Sequence, residues 1–216
     1  MEVVSREVLE NGQGFQVRFQ YRKMGTEKLN PDNFMVISLT GEGWAGVEYS
    51  FEEAGLYDHI GVTFDFPEQE VRQVQWLGNG PYRVWKNREK GVLFGLWTKD
   101  YNNTVTGESW TYPEFKGFHS NLYAARINTD SGILTLLTET EDLYLHLLTP
   151  DLPQGRNNDN TLGVFPSGQI SVLNAISAVG TKFYKAEQMG PQGQKNAVWY
   201  SDHSDGVTGK FYMRFE

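Results

Sequence analysis

The sequence predicts an all-β protein, folded as one large antiparallel β-sandwich that spans residues 1–216. Three observations predict this fold class. Apolar and polar residues alternate in several separate segments, and such alternation places apolar side chains on one face of a strand. Turn-forming residues separate these segments, and no window keeps apolar residues at helical spacing for three turns. The abundance of Gly, Thr, Val and aromatic residues also favours strands over helices.

The alternating segments follow one another along the whole chain, as expected of strands in a sandwich with apolar inner faces and polar outer faces. Their apolar members are Phe15, Val17, Phe19 and Tyr21; Met35, Ile37 and Leu39; Ile60, Val62, Phe64 and Phe66; Leu143, Leu145 and Leu147; and Phe211, Met213 and Phe215.

Turn signals lie between these segments, and each combines residues that favour tight turns. They are Asn11-Gly12, Asn30-Pro31, Gly41-Glu42-Gly43, Asn79-Gly80-Pro81, Asp130-Ser131-Gly132 and Pro166-Ser167-Gly168. Two polar stretches, residues 153–161 and 188–196, are expected to be flexible loops. No linker divides the chain, which predicts a single domain.

Composition excludes several classes of function. The chain has 216 residues, no cysteine and a net charge of −8. Disulfides and thiolate metal sites are therefore impossible. An acidic surface repels phosphate groups and anionic lipids, so neither nucleic acid nor membrane is an expected partner. No apolar run reaches the ~20 residues of a membrane helix. The histidines lack metal-ligand spacing, and no cofactor motif is present, so neither a metal nor a cofactor is expected.

The most informative stretch spans residues 76–117 and is rich in aromatic residues, Gly and hydrogen-bonding side chains. A predicted strand leads into a Gly-Pro turn, followed by an aromatic residue and an Asn-Arg pair. A Tyr-Pro-Glu segment, residues 112–114, and Gly117 come about 25 residues later. The motif positions before that segment are Trp76, Gly78, Gly80, Pro81, Trp85, Asn87 and Arg88.

This motif resembles the C-terminal β-sandwich domain of family 2 glycoside hydrolases, the large β-galactosidases. The resemblance continues through residues 162–196 and is weakest before residue 70. It departs from many β-galactosidases at Tyr82-Arg83, where they carry a Glu after the Gly-Pro turn. The resemblance implies a galactose-mutarotase-like supersandwich that forms the C-terminal part of a larger bacterial hydrolase, either cytoplasmic or periplasmic. It also implies two partners, a galactoside-like carbohydrate and the catalytic barrel of the parent enzyme.

The resemblance implies a non-catalytic role for this chain. Family 2 hydrolases cleave glycosidic bonds with two carboxylates on a (β/α)8 barrel, which takes about 250 residues and alternates strands with helices. Nothing in this sequence alternates in that way. The catalytic glutamates are therefore expected outside this chain, and none of its residues is expected to be catalytic.

The candidate carbohydrate-binding residues are Trp110, Tyr112, Glu114, Arg83 and His119. In an extended segment the first three lie on one face, where aromatic rings stack on a sugar and a carboxylate accepts hydroxyl hydrogen bonds. The alternative is that these three side chains pack in the core or against another domain. Arg88 is expected either to fix a loop by holding a carboxylate or to face the missing barrel.

Two other functions remain open from the sequence. One is a free-standing carbohydrate-binding module. The other is an enzyme like the aldose 1-epimerases, in which His119 and a nearby Glu act as general acid and base. An exposed apolar patch is expected for the domain of a hydrolase, an open aromatic groove for the module, and a concave pocket holding His and Glu for the epimerase. His146, between Leu145 and Leu147, is expected on a polar strand face.

Overall fold

The fold is all-β, as the sequence predicted. The computed structural model describes residues 2–11, 14–25, 27–52, 54–102, 115–150, 159–161, 163–198 and 206–216. Within these ranges the only helical segments are 3-10 turns: Glu68–Glu70, Asp159–Thr161, Ala186–Gln188 and Pro191–Gly193. The strands are β1 Glu2–Asn11, β2 Gly14–Arg22, β3 Phe34–Thr40, β4 Ala45–Phe51, β5 Gly55–Tyr57, β6 Ile60–Phe64, β7 Val71–Gly80, β8 Leu93–Asp100, β9 Gly117–His119, β10 Ala124–Thr129, β11 Ile133–Thr138, β12 Tyr144–Leu147, β13 Ile170–Ala175, β14 Asn196–Val198 and β15 Val207–Phe215.

The strands form a large sheet and two smaller ones. The large sheet has nine strands in the order β1-β2-β3-β4-β15-β11-β10-β7-β8, and a four-stranded sheet has the order β6-β13-β12-β9. Strands β5 and β14 form a separate two-stranded sheet. All the pairings are antiparallel. Several predicted turns join paired strands: residues 41–43 join β3 to β4, and residues 130–132 join β10 to β11.

The main core lies between the large sheet and the four-stranded sheet. Apolar residues at alternate strand positions form this core, because every second side chain of a strand points to the same face. Trp76, Ile127 and Leu136 come from the large sheet, and Leu145 and Val172 come from the four-stranded sheet. All five side chains are buried, so two inward apolar faces meet as the sequence predicted.

A second layer covers the other face of the four-stranded sheet. Residues 81–92, 163–169 and 176–198 contribute to this loop layer, which packs on the sheet around a smaller cluster of Val84, Phe118, Leu173 and Ile176. The backbone N–H of Val84 donates to the carbonyl of Phe118 at 2.8 Å. The four-stranded sheet therefore has apolar contacts on both faces.

This loop layer explains why the expectation for His146 was wrong. His146 does point away from Leu145 and Leu147, but the face that it occupies is buried under the loops. Its ring lies 5.3 Å from Phe118 and 5.5 Å from Phe165, measured between centroids. Alternation gives the direction of a side chain, but it does not show whether water or another layer lies there.

The two expected loops are only partly described. Most of residues 153–161 lies outside the described part of the chain, apart from the 3-10 turn at its end. Residues 188–196 contain the turn Pro191–Gly193, and they end where β14 begins at Asn196. The second stretch is therefore folded into the loop layer.

Candidate functional site

The Gly-Pro turn begins where β7 ends, at the edge of the large sheet. The Gly80–Pro81 peptide bond is cis. Trp76 is buried beneath the turn, and its indole N–H donates to the carbonyl of Asn79 at 3.0 Å. Trp97 on the neighbouring strand β8 donates to the carbonyl of Gly78 at 3.2 Å. Two indole rings therefore hold the backbone that leads into the turn.

The motif glycines permit close approach of other groups. A Cβ atom at Gly80 would lie 2.5 Å from the Trp97 ring, and one at Gly78 would lie 2.7 Å from the carbonyl oxygen of Asn121. Neither position has room for a larger residue unless its neighbours move. The Gly-x-Gly-Pro spacing thus follows from packing at this edge.

Hydrogen bonds between side chains of the loop after the turn and backbone groups of the loop layer hold this loop in place. The Asn87 side chain donates to the carbonyl of Val179 at 2.9 Å and accepts from the N–H of the same residue at 3.1 Å. Arg88 donates to the carbonyl of Gly180 at 3.0 Å. The Arg88 partner found here is a backbone carbonyl, whereas the sequence interpretation named a carboxylate. These contacts attach the Asn-Arg pair to the loop layer.

Trp85 lies between the turn and this loop layer and is only partly buried. Its ring makes edge-on contacts with Phe118 at 5.4 Å and Phe165 at 5.1 Å between centroids. A Cβ atom at Gly163 would lie 1.9 Å from this ring, so the chain passes directly over it. Trp76, which the structure buries completely, is the more deeply packed tryptophan of the motif.

Arg83 and Lys99 bring positive charge to the same edge. Arg83 donates to the carbonyl of Lys116 at 3.3 Å. Lys99 donates to the carbonyl of Pro81, and its ammonium lies 5.6 Å from the centroid of the Trp76 ring. Both side chains are partly exposed. The Pro81 carbonyl and the Trp76 ring thus hold Lys99, which was not among the residues identified from the sequence.

His119 is completely buried beside this basic edge. Its ring packs on Trp76 with 4.5 Å between centroids, and its Nε2 lies 3.3 Å from the carbonyl oxygen of Phe115. No described residue is a hydrogen-bond partner of its Nδ1. Burial, together with the positive charges of Lys99 and Arg83, lowers the pKa of His119 to about 3, against a smaller opposing effect of the hydrogen bond to Phe115. The imidazole is therefore neutral near pH 7.

This environment does not suit His119 as a general acid. A general acid needs a pKa near the working pH and access to the substrate. His119 has neither, so the structure gives it a packing role against Trp76.

Trp110, Tyr112 and Glu114 lie outside the described residues, so their role as a sugar platform stays a prediction. The described residues that flank them lie close together. The rings of Tyr101 and Phe115 are 5.6 Å apart between centroids, and Phe115 is buried in the main core. The described residues on the two sides of segment 103–114 are therefore neighbours in the fold.

An ion pair between buried Lys116 and partly exposed Glu68 lies just after the segment 103–114. Lys116 is completely buried, pairs with the Glu68 carboxylate and donates to the carbonyl of Thr149 at 3.4 Å. The Tyr101 hydroxyl donates to the same carboxylate at 2.8 Å. A buried ammonium needs such partners because desolvation of an unpaired charge is costly. Sequence reasoning missed this pair, since 48 residues separate its members.

An apolar patch lies on the outer face of the large sheet, next to the Gly-Pro turn. Leu96, Leu77 and Leu137 belong to one row across β8, β7, β10 and β11, with Ala124 between the last two leucines. Phe94 packs edge-on against Tyr123 beside this row, with 5.5 Å between centroids. Leu96 is 64% exposed and Phe94 is 56% exposed. We call these residues, Leu77, Phe94, Leu96, Tyr123 and Leu137, the outer apolar patch.

The neighbouring row of the same face is polar. It contains Thr98, Gln75, Arg126, Thr135 and Arg214. The expected polar outer face is therefore found at one end of these strands, and the apolar patch occupies the end near the turn. Large exposed apolar patches typically mark interaction sites.

The remaining polar clusters do not form a metal site. Among the described residues, no group of three His, Asp or Glu side chains could hold a metal ion. Glu139 instead accepts hydrogen bonds from Lys210 at 2.9 Å and Tyr212 at 2.7 Å. In the described ranges, no helix is both long enough and apolar enough to cross a membrane.

Comparisons with known proteins add no family assignment. No family model matches the chain, and no curated protein matches it.

Proposed function

We propose that this chain is the non-catalytic C-terminal domain of a β-galactosidase-like glycoside hydrolase. In this proposal the domain packs against the catalytic barrel of the parent enzyme and helps to shape its carbohydrate site. The fold that the resemblance implies, a galactose-mutarotase-like supersandwich, is part of the same proposal.

The outer apolar patch is the observation that carries this proposal. It covers several strands next to a polar row of the same sheet face, and it lies beside the Gly-Pro turn that carries the family resemblance. A partner domain seated on the patch would bury Leu96 and Phe94, which are largely exposed in this chain. Burying apolar surface contributes roughly 25 cal/mol per Å². An exposed apolar patch is also what distinguishes a docked domain from a free-standing module.

The epimerase alternative is disfavoured by His119. An acid–base pair needs a concave pocket that holds both groups, but His119 is buried against Trp76 and is held neutral. The binding-module alternative depends on the aromatic residues of the segment 103–114, and the described residues offer no observation in its favour.

The first experiment identifies the native polypeptide. An antibody against this chain, followed by peptide mass spectrometry, should find the sequence in a polypeptide well above 24.6 kDa that also contains a (β/α)8 barrel. That polypeptide should hydrolyse a chromogenic β-galactoside, whereas the isolated chain should not. A native polypeptide of the mass of this chain alone would contradict the proposal, as would hydrolysis by the isolated chain that survives repurification.

A matched pair of variants then tests the patch in the native polypeptide. Leu96→Asp places a carboxylate in the outer apolar patch, and Thr98→Asp places one in the polar row of the same strand. We expect the first variant to lower galactoside hydrolysis at least tenfold and the second to leave it nearly unchanged. Equal activities would show that this face does not pack against the catalytic part.

A further inference from the structure

A cavity of about 420 Å³ opens between the two main sheets, beside β6. The large sheet extends past β6, the edge strand of the four-stranded sheet, so the apolar inner sides of β2 and β3 are less completely covered there. The cavity lies at this step. Its walls are Tyr21, Met35, Phe51, Tyr57, His59, Ile60, Gly61, Val62, Thr63, Pro166, Leu173, Val198 and Val207.

The walls are mainly aromatic and aliphatic. Tyr21 and Phe51 meet edge-on at the floor, with 6.1 Å between their centroids. The Tyr21 hydroxyl contacts only the thioether sulfur of Met35 among its described partners, at 3.9 Å. Sulfur is a weak acceptor, so this hydroxyl retains the capacity to bond to a ligand oxygen.

The described walls carry no ionised side chain. Among the residues that the structure describes, those that line the cavity include no Asp, Glu, Lys or Arg. Burial lowers the pKa of His59, against a smaller opposing effect of Asp58, so its imidazole is neutral near pH 7. Burial also raises the pKa of Tyr21, which keeps the phenol protonated. A charged ligand would therefore lose its hydration without gaining a counter-charge, which is unfavourable.

The volume sets the size of a suitable ligand. An apolar protein cavity of about 150 Å³ holds one benzene molecule. The present cavity therefore has room for two fused or linked rings. A free sugar fits poorly, because most of its hydroxyl groups would face apolar walls and lack hydrogen-bond partners.

We propose that this cavity binds an uncharged two-ring aromatic or alicyclic molecule that carries one or two hydroxyl groups. The rings lie against Tyr21, Phe51 and Val62, and a hydroxyl group bonds to the Tyr21 hydroxyl. The site is separate from the proposed carbohydrate site and does not depend on it.

The test is a titration of the whole chain with 2-naphthol, followed by saturation-transfer NMR, with methyl β-galactoside as the polar comparison. Two variants fill the cavity from different walls, Val62→Phe and Val198→Trp. Leu96→Thr, on the opposite face of the large sheet, is the matched control. Thermal melts establish whether each variant is folded. If one filling variant does not fold, the other still tests the proposal.

We expect 2-naphthol to bind to the wild type and to Leu96→Thr equally, and at least tenfold more weakly to the folded filling variants. Three results would overturn the proposal. They are no binding of 2-naphthol to the wild type, equal binding by the filled variants, and displacement of 2-naphthol by methyl β-galactoside. A dimer that forms as the protein concentration rises and that excludes 2-naphthol would also overturn the proposal, because a second copy of the chain would then occupy the cavity.

Discussion

His146 allows a quantitative test of the loop layer. The ring is completely buried on the outer side of the four-stranded sheet. Burial lowers its pKa to about 3, with smaller contributions from the electrostatic effects of His59 and His119. The folded protein therefore keeps a neutral imidazole at pH values where the unfolded chain protonates the same residue. Replacing His146 by Leu removes the titrating group and leaves an apolar side chain beside Phe118 and Phe165.

The sign and size of the effect follow from proton binding. Between the ordinary pKa of 6.5 and the folded value of about 3, only the unfolded chain binds the proton. Stability therefore falls as the pH falls through this window. From pH 7 to pH 5 the loss due to this residue is about 2 kcal/mol, because one pKa unit corresponds to about 1.4 kcal/mol. That is a large fraction of a typical stability of about 5–15 kcal/mol.

The assay is urea unfolding at pH 7 and pH 5, followed by tryptophan fluorescence. The loss of stability between the two pH values should be about 2 kcal/mol smaller in His146→Leu than in the wild type. Loss of the hydrogen bond between His146 and Ser171, 3.2 Å long, affects both pH values alike and cancels in this difference. His59→Leu is the comparison, and its effect should be smaller because His59 is only partly buried. The same pH dependence in wild type and His146→Leu would refute the reasoning.

Two further predictions concern the motif around the Gly-Pro turn. Trp76→Ala should lower the free energy of unfolding by about 3–5 kcal/mol, and Trp85→Ala by about 2–3 kcal/mol because Trp85 is only partly buried. Urea unfolding measures both, and the reverse order would contradict the packing described for the two rings. Asn87→Ala removes both hydrogen bonds to Val179 and should cost about 1–3 kcal/mol, whereas Gln73→Ala on the exposed sheet face should cost less than half of that. An unchanged urea midpoint for Asn87→Ala would show that the Asn87 contacts are not structural.

The fold class was predictable because alternation and turn residues are local signals. Residues 35–39 and 211–215 show the pattern, and the structure places them in β3 and β15. The order of the strands depends on contacts between residues that are distant in sequence. Whether a sheet face is covered by other segments depends on such contacts too. His146 shows the consequence, since its strand pattern indicates a face but gives no information on the loops that cover it.

The candidate site was less predictable for the same reason. The glycines at 78 and 80 are explained by close contacts, and the sequence pattern did single them out. Burial of His119 depends on Trp76, which lies on another strand. The Lys116–Glu68 pair joins distant parts of the chain, so no spacing rule reveals it. The outer apolar patch was not predicted from the sequence, because its residues lie on different strands and become neighbours only through the register of those strands.

The nine-stranded sheet ends in two edges with opposite tendencies to associate. Strand β1 carries Glu2, Arg6 and Glu7, and its register with β2 shifts between Val3 and Ser5. Charges and bulges of this kind discourage another strand from adding to an edge. Strand β8 begins instead with Leu93, Phe94, Gly95 and Leu96, without a charged residue. Edge-to-edge aggregation of the isolated chain is therefore directional: growth through β1 is discouraged, and the β8 edge is where a solubilising substitution would have the most effect.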